Sequence, residues 1–180
     1  MLQNYSGYRV LQVFMETPLE GLGLREICRR VKLGAPSVIN YLKGLNSDGL
    51  IVEKKMYGKK FYFANRESRL FKLYKQFETL RTIEESGLLD YINEELAFPT
   101  VVLFGSKPLG EDTEKSDMDL LVITNSKKQI NLEKYESVLK TKIHLMILSD
   151  DDAEKMKTRN RELFNNVVNG RVLSGYLKVF

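Results

Sequence analysis

The chain has 180 residues, enough for one ordinary domain or two small ones, so the order of its motifs has to decide between them. Hydrophobic residues make up 43% and charged residues 29%, a globular composition that excludes a disordered or fibrous chain, and no apolar run approaches the ~18 residues that span a bilayer. The net charge of +4 is unevenly spread: eleven basic against five acidic residues leave positions 1–66 at +6 and positions 67–180 at −2, which predicts a polyanion partner for the first third.

Met1-Leu2-Gln3-Asn4-Tyr5 lacks a basic segment followed by an apolar run, so no membrane partner is expected and the chain is placed in the cytoplasm. Cys28, the single cysteine, excludes an internal disulfide or a cysteine metal site. Tyr8, Val10, Leu11 and Phe14 recur at helical spacing, and Pro18, Gly21 and Gly23 close that first helix. Leu24 to Val31 is a second helix with Ile27 and Val31 inward and Arg25, Arg29 and Arg30 in water, broken by Gly34. Pro36 suits the first turn of a third helix, along which Val38, Leu42 and Leu45 form a stripe until Asp48-Gly49 ends it. Leu50 to Lys55 and Lys60 to Ala64 are β-prone runs around Met56-Tyr57-Gly58-Lys59, a hairpin in which Gly58 is free to take positive φ.

Three helices and a basic hairpin in this order, with the segment LREICRRVKLGAPSVINYLKGLNSDGLI (Leu24 to Ile51), resemble the winged helix-turn-helix of prokaryotic, archaeal-type regulators. The resemblance implies that the third helix enters the major groove of duplex DNA. Ser37, Asn40 and Tyr41 would then face base edges, with Asn40 the leading base reader, while Lys43, Lys54, Lys55, Lys59 and Lys60 meet phosphates. A unit of this kind can also serve as a protein-docking or dimerisation module. Regulators of this type commonly form homodimers on palindromic sites.

Beyond the hairpin, Leu70, Tyr74, Phe77 and Leu80 predict a connector helix that buries this stripe against a partner, and Leu88, Ile92 and Leu96 predict another before Pro99. With no flexible linker near Arg66, the two modules are expected to be rigidly joined. Val101 to Phe104 is a short apolar strand that runs into Gly105-Ser106, where backbone amides and the start of a following helix could hold an anion. After Gly110 and a polar loop, Ser116-Asp117-Met118-Asp119 feeds a second apolar strand, Leu120 to Ile123. Residues two apart in a strand point the same way, so Asp117 and Asp119 present two hard oxygen donors to one point, as a divalent cation requires. The blander alternative is a solvated pair of acids at a strand entrance.

FGSKPLGEDTEKSDMDLLVI, from Phe104 to Ile123, resembles the signature of the minimal nucleotidyltransferases of the polymerase-beta superfamily. That resemblance implies a nucleoside triphosphate held through Gly105, Ser106, Lys107 and Ser116, and Mg²⁺ or Mn²⁺ held by Asp117 and Asp119 as catalytic carboxylates. Family members usually add a third carboxylate from a neighbouring strand. The matching strand here, Lys142 to Leu148, carries His144 instead, a candidate metal ligand or base that also has a purely structural alternative. Ser149-Asp150-Asp151-Asp152 is expected to cap a helix. Leu163, Phe164, Val167 and Val168 predict a last helix that Gly170 ends, followed by Val172-Leu173.

The expected fold class is therefore α+β: a winged helix-turn-helix of three helices and a hairpin over residues 1–66, a helical connector over 67–97, and a small mixed sheet with flanking helices of nucleotidyltransferase fold over 98–180. The leading functional expectation is a DNA-binding regulator whose second module binds nucleotide and metal with little turnover. An active transferase moving a nucleoside monophosphate to a protein, nucleic acid or small molecule is the alternative. The family resemblance adds a third, an antitoxin beside a helical toxin partner.

Overall fold

The computed structural model describes residues 5–178, so residues 1–4, considered above for a targeting signal, lie outside them. The chain divides into two units, Met1–Lys75 and Gln76–Phe180.

In the first unit, three short helices turn their apolar stripes onto one core. α1 (Ser6–Glu16) contributes Val10 and Phe14, α2 (Leu24–Val31) contributes Ile27 and Val31, and α3 (Ala35–Ser47) contributes Val38 and Leu42. Full burial of each such side chain is worth roughly 1.5–3 kcal/mol. Gly34, expected to break the second helix, does not. The break falls at Lys32, which takes φ 53 and donates its amide to the Cys28 carbonyl, while Gly34 is extended and opens α3.

On the wet side of α2, Glu26 accepts hydrogen bonds from Arg29 and Arg30, and Arg30 also reaches Glu20 at 2.8 Å. The Arg29 bond, then the Arg30 bond, hold the Glu26 carboxyl at about 2, below its ordinary 4.5. A carboxylate depressed in the folded state stabilises above its unfolded pKa and loses that contribution as pH falls through the folded one. Glu26→Gln is therefore expected to lower the melting temperature slightly and evenly above about pH 5. Thermal melts should show the gap from wild type closing between about pH 4.5 and 2; a gap that persists at pH 2 would contradict this origin.

β2 (Ile51–Met56) and β3 (Lys59–Ala64) form an antiparallel hairpin, and β1 (Leu22–Gly23) adds to the far side of β3, giving the order β1-β3-β2. The two turn residues, Tyr57 and Gly58, have φ 50 and 74, the signs that a type I′ turn demands. Gly58 is the expected residue for this. Tyr57 is not, since a left-handed conformation costs a non-glycine about 1–2 kcal/mol, and its ring is 95% exposed at the tip.

α4 (Arg69–Ser86) contains the boundary between the units, so the connector expected over 67–97 is shared between them. Phe71 and Tyr74 belong to the first core, and Ile83 belongs to the second with Leu88, Ile92 and Leu96. The expected stripe is also shifted. Phe71, Lys75 and Ile83 are buried, whereas Leu70 and Phe77 remain more than 40% exposed. With Leu70, Phe71, Leu73, Tyr74, Phe77 and Leu80 all apolar, the helix carries overlapping stripes, and periodicity alone does not choose between them. No helix among the described residues is long and apolar enough to cross a membrane.

In the second unit, α5 (Leu88–Glu95) precedes β4 (Thr100–Phe104), and β5 (Met118–Ile123) returns antiparallel to it. α6 (Glu133–Leu139) makes the crossover to β6 (Ile143–Leu148), which lies parallel to β5. α7 (Asp150–Arg159) and α8 (Arg161–Val168) lead to β7 (Arg171–Ser174), antiparallel to β4, and the sheet order is β6-β5-β4-β7. Alternation splits the strands cleanly. Val101, Leu103, Met118, Leu120 and Val122 join the core with α5, while Val102, Phe104 and Leu121 join Met156 of α7 and Val167 of α8. Burial on both faces is why these strands read as continuous apolar runs. Ser149 caps α7, its hydroxyl accepting from the Asp152 amide at 3.1 Å.

Candidate functional site

Phe104, the last residue of β4, lies opposite Asp119 in the β4–β5 ladder. The chain then turns at Gly105 with φ 80, and a Cβ built there would lie 2.5 Å from Asp119 Oδ2. Only a hydrogen fits between that turn and the carboxylate. Asp117 is exposed one residue ahead of β5, outside the strand, whereas Met118 and Leu120 are buried in the core on the other face of β5 from Asp119. His144 on β6 is in register with Asp119, its Nδ1 3.2 Å from Asp119 Oδ1. Asp119 thus has the glycine turn at one oxygen and an imidazole at the other.

The remaining expected phosphate contacts have local partners. The Ser106 carbonyl accepts from the Leu109 and Glu111 amides at 3.2 and 3.1 Å, which folds the turn shut. Lys107 Nζ lies 3.8 Å from Asp112 Oδ2, with only 11% and 12% of the two side chains exposed. This ammonium therefore faces its own loop. Asp112 was not legible as a site residue, because only the bend at Lys107–Gly110 brings it back toward Lys107. The Ser116 hydroxyl accepts from the Thr113 amide at 2.9 Å, and its carbonyl accepts from Thr141 Oγ1 at 3.1 Å, so Ser116 ties the loop before Asp117 to the loop before β6. The helix expected after Gly105-Ser106 is one 3-10 turn, Lys107–Leu109. Three residues containing Pro108 sum too few peptide dipoles to act as a positive helix end, so the local attraction for an anion has to come from backbone amides.

Among the described residues, no three His, Cys, Asp or Glu side chains gather as a metal site. Two carboxylates are nevertheless the usual protein share for Mg²⁺ when substrate phosphates and water supply the other oxygens. The donor set fits a divalent ion that arrives with a phosphate ligand and is thin for one that arrives alone.

The first unit carries the other set of expected residues. Ser37, Asn40 and Lys43 are exposed on α3, and Lys54, Lys55, Lys59 and Lys60 are exposed on the hairpin. Tyr41 differs in being half-buried against the first core, where it meets Tyr5 edge to face at 6.2 Å. Lys60 is paired with Glu53 at 2.7 Å, and the hydrogen bond raises the lysine and lowers the glutamate from their ordinary pKa values. Lys54 Nζ lies 5.2 Å from the centre of the Phe63 ring.

The family described as Polymerase beta, Nucleotidyltransferase matches residues 86–175, half of the chain. Among solved structures, HmgR of Pseudomonas aeruginosa is similar at 18% identity and a TM-score of 0.37, over 59% of this chain and 43% of its own. A Sulfolobus solfataricus protein assigned as a nucleotidyltransferase is similar at 15% identity and a TM-score of 0.34, over 56% of this chain and 84% of its own. The chain thus spans less than half the length of HmgR. No curated protein matches it significantly.

Proposed function

The chain belongs to the polymerase beta nucleotidyltransferase family, and from that premise we propose that it is a DNA-binding transcription regulator whose second unit binds a nucleoside triphosphate together with Mg²⁺ or Mn²⁺. The observation that carries the DNA half is the exposed face of α3 with Ser37, Asn40 and Lys43, accompanied by Lys54, Lys55 and Lys59 on the hairpin. In a winged helix-turn-helix of this element order, α3 lies in the major groove, Asn40 meets a base edge and the lysines meet phosphates. The test is duplex binding followed by anisotropy across a salt series. Each lysine–phosphate contact adds about −0.9 to the slope of log K against log salt. Lys59→Ala is expected to reduce that slope by about 1, and Lys60→Ala by less, because Glu53 already neutralises Lys60. Duplex binding that ignores salt, or none at micromolar protein, would remove the DNA half.

In the second unit, Gly105 and Ser106 offer backbone amides to phosphate, and Asp117 and Asp119 would hold the metal. A bound divalent ion supplies charge neutralisation for the phosphates. His144 in place of a third carboxylate favours binding over turnover, since an imidazole adds no negative charge beside Asp119. Calorimetry with ATP, CTP, GTP and UTP in Mg²⁺, against the Asp117→Asn/Asp119→Asn variant, tests this half.

Family membership and the contact between Gly105 and Asp119 favour a second reading, an active transferase. It requires metal-dependent transfer of label from an α-labelled triphosphate, abolished by Asp117→Asn.

A further inference from the structure

We infer that the first unit also contains a site for a small organic cation with an apolar body, bordering the proposed DNA face at Asn40. A cavity of about 310 Å³ opens between α1, α3 and the start of α4. Its walls include Tyr5, Tyr8, Tyr41 and Tyr74, and Asp48 stands at the end of α3. No lysine or arginine lines it, so Asp48 is the one charged group among its described lining residues.

That charge pattern is unusual for its surroundings. Residues 1–66 carry a net +6, yet this concavity is lined by four tyrosines, three leucines, two glycines, Asn40 and a single charged group, the Asp48 carboxylate. Aromatic faces attract cations through their quadrupole, and a carboxylate at the rim adds a full charge of the right sign. An anionic ligand would meet Asp48 with no compensating cation, and a neutral one would gain at most a hydrogen bond to the carboxylate, without the charge attraction an ammonium adds. The cavity therefore selects an ammonium or quaternary nitrogen carried on an aromatic or aliphatic body.

Two glycines shape this concavity. At Gly7 a Cβ would come within 2.9 Å of the Tyr5 ring and 3.1 Å of the Tyr41 ring, so both rings lie over the backbone of α1 because no side chain stands there. Gly44 lies inside α3, where glycine is an unfavourable residue, and a Cβ there would meet nothing within 4 Å. A Cβ at position 44, which lines the concavity, would stand in open space, and the chain has none there. Tyr5, 62% exposed and edge-on to Tyr41, stands at the mouth.

The test uses the full chain and three probes of similar shape: phenethylammonium, phenethyl alcohol and phenylacetate. Binding is followed through tyrosine ring signals by NMR at neutral pH. Phenethylammonium is expected to shift those signals and bind about tenfold more tightly than the alcohol, with no binding by the carboxylate. Asp48→Asn should reduce the preference for the cation over the alcohol about tenfold. Gly44→Leu should abolish binding while leaving the melting temperature at or above that of wild type. If Gly44→Leu fails to fold, Asp48→Asn and the three probes decide the matter alone. Equal binding of ammonium and alcohol, an unchanged preference in Asp48→Asn, wild-type affinity in folded Gly44→Leu, or silent tyrosine signals would each overturn the assignment.

Discussion

Gly105→Ala is expected to lower nucleotide affinity in the second unit by about tenfold or more, and to cost about 1–2 kcal/mol in stability from backbone conformation alone. The two effects have separate causes. With φ at 80, any L-residue at position 105 is strained wherever its side chain goes. In addition, the new Cβ would lie 2.5 Å from Asp119 Oδ2, so the carboxylate must swing away from the turn, toward or past His144. That movement takes the acid from the place where the proposed metal and phosphate meet. Gly87→Ala is the control, because Gly87 belongs to the same unit, has φ 73, and has nothing within 4 Å of its built Cβ. Urea melts and nucleotide calorimetry on the two variants separate strain from displacement. Should Gly105→Ala keep wild-type nucleotide affinity, or cost no more stability than Gly87→Ala, the contact with Asp119 would have no functional weight.

The His144→Asp variant is expected to gain metal dependence. In β6, position 144 is in register with Asp119, and the existing imidazole nitrogen already sits 3.2 Å from the carboxylate. A carboxylate introduced there stands beside Asp119 and, with Asp117 as the proposed third donor, should raise Mg²⁺-dependent nucleotide affinity about tenfold or more. Without metal, the like charges repel and push at least one carboxyl upward in the folded state. A carboxyl raised in the folded state loses stability as pH rises, so in chelator the variant should be less stable than wild type at pH 7 and recover toward pH 4. Added Mg²⁺ should reverse the deficit in the variant, because an ion that binds only the folded state stabilises it, and should leave wild type unmoved in the absence of nucleotide. Melting curves with and without Mg²⁺ measure both. If Mg²⁺ shifts the variant no more than wild type, Asp117, Asp119 and position 144 do not share an ion.

Much of the first unit was legible because local rules decide it. The limits of α2 follow from apolar spacing and flanking charge, and Pro36 announces α3 because proline is tolerated in a first turn. The hairpin follows from Tyr57-Gly58 between two β-prone runs. Lys32 escaped notice because a left-handed lysine carries no compositional signal, whereas the nearby Gly34 does. In the second unit, β4 and β5 stood out as apolar runs, yet α6 did not. Its seven residues bury only Tyr135 and show less than two turns of stripe. The proximity of Asp119 to Gly105 and to His144 is a fact of register. Its second contact joins residues 25 positions apart through a parallel pairing, which no local pattern encodes. The Lys107–Asp112 pair was hidden for a related reason, since its meaning depends on a bend that replaced the expected helix.

The edge pairing of β7 with β4 sets a timetable for synthesis. Every strand pairing of the first unit closes within residues 22–64, but β4 gains its outer neighbour only when residues 171–174 have been made. At roughly 5–20 residues per second, the first core precedes the finished sheet by about 5–20 s. From the synthesis of Phe104 to that of Ser174, about 4–14 s at that rate, β4 lacks its outer neighbour and leaves an open hydrogen-bonding edge, the kind along which chains most readily join one another. Translation speed through residues 75–174 therefore bears on the yield of the second unit far more than on that of the first.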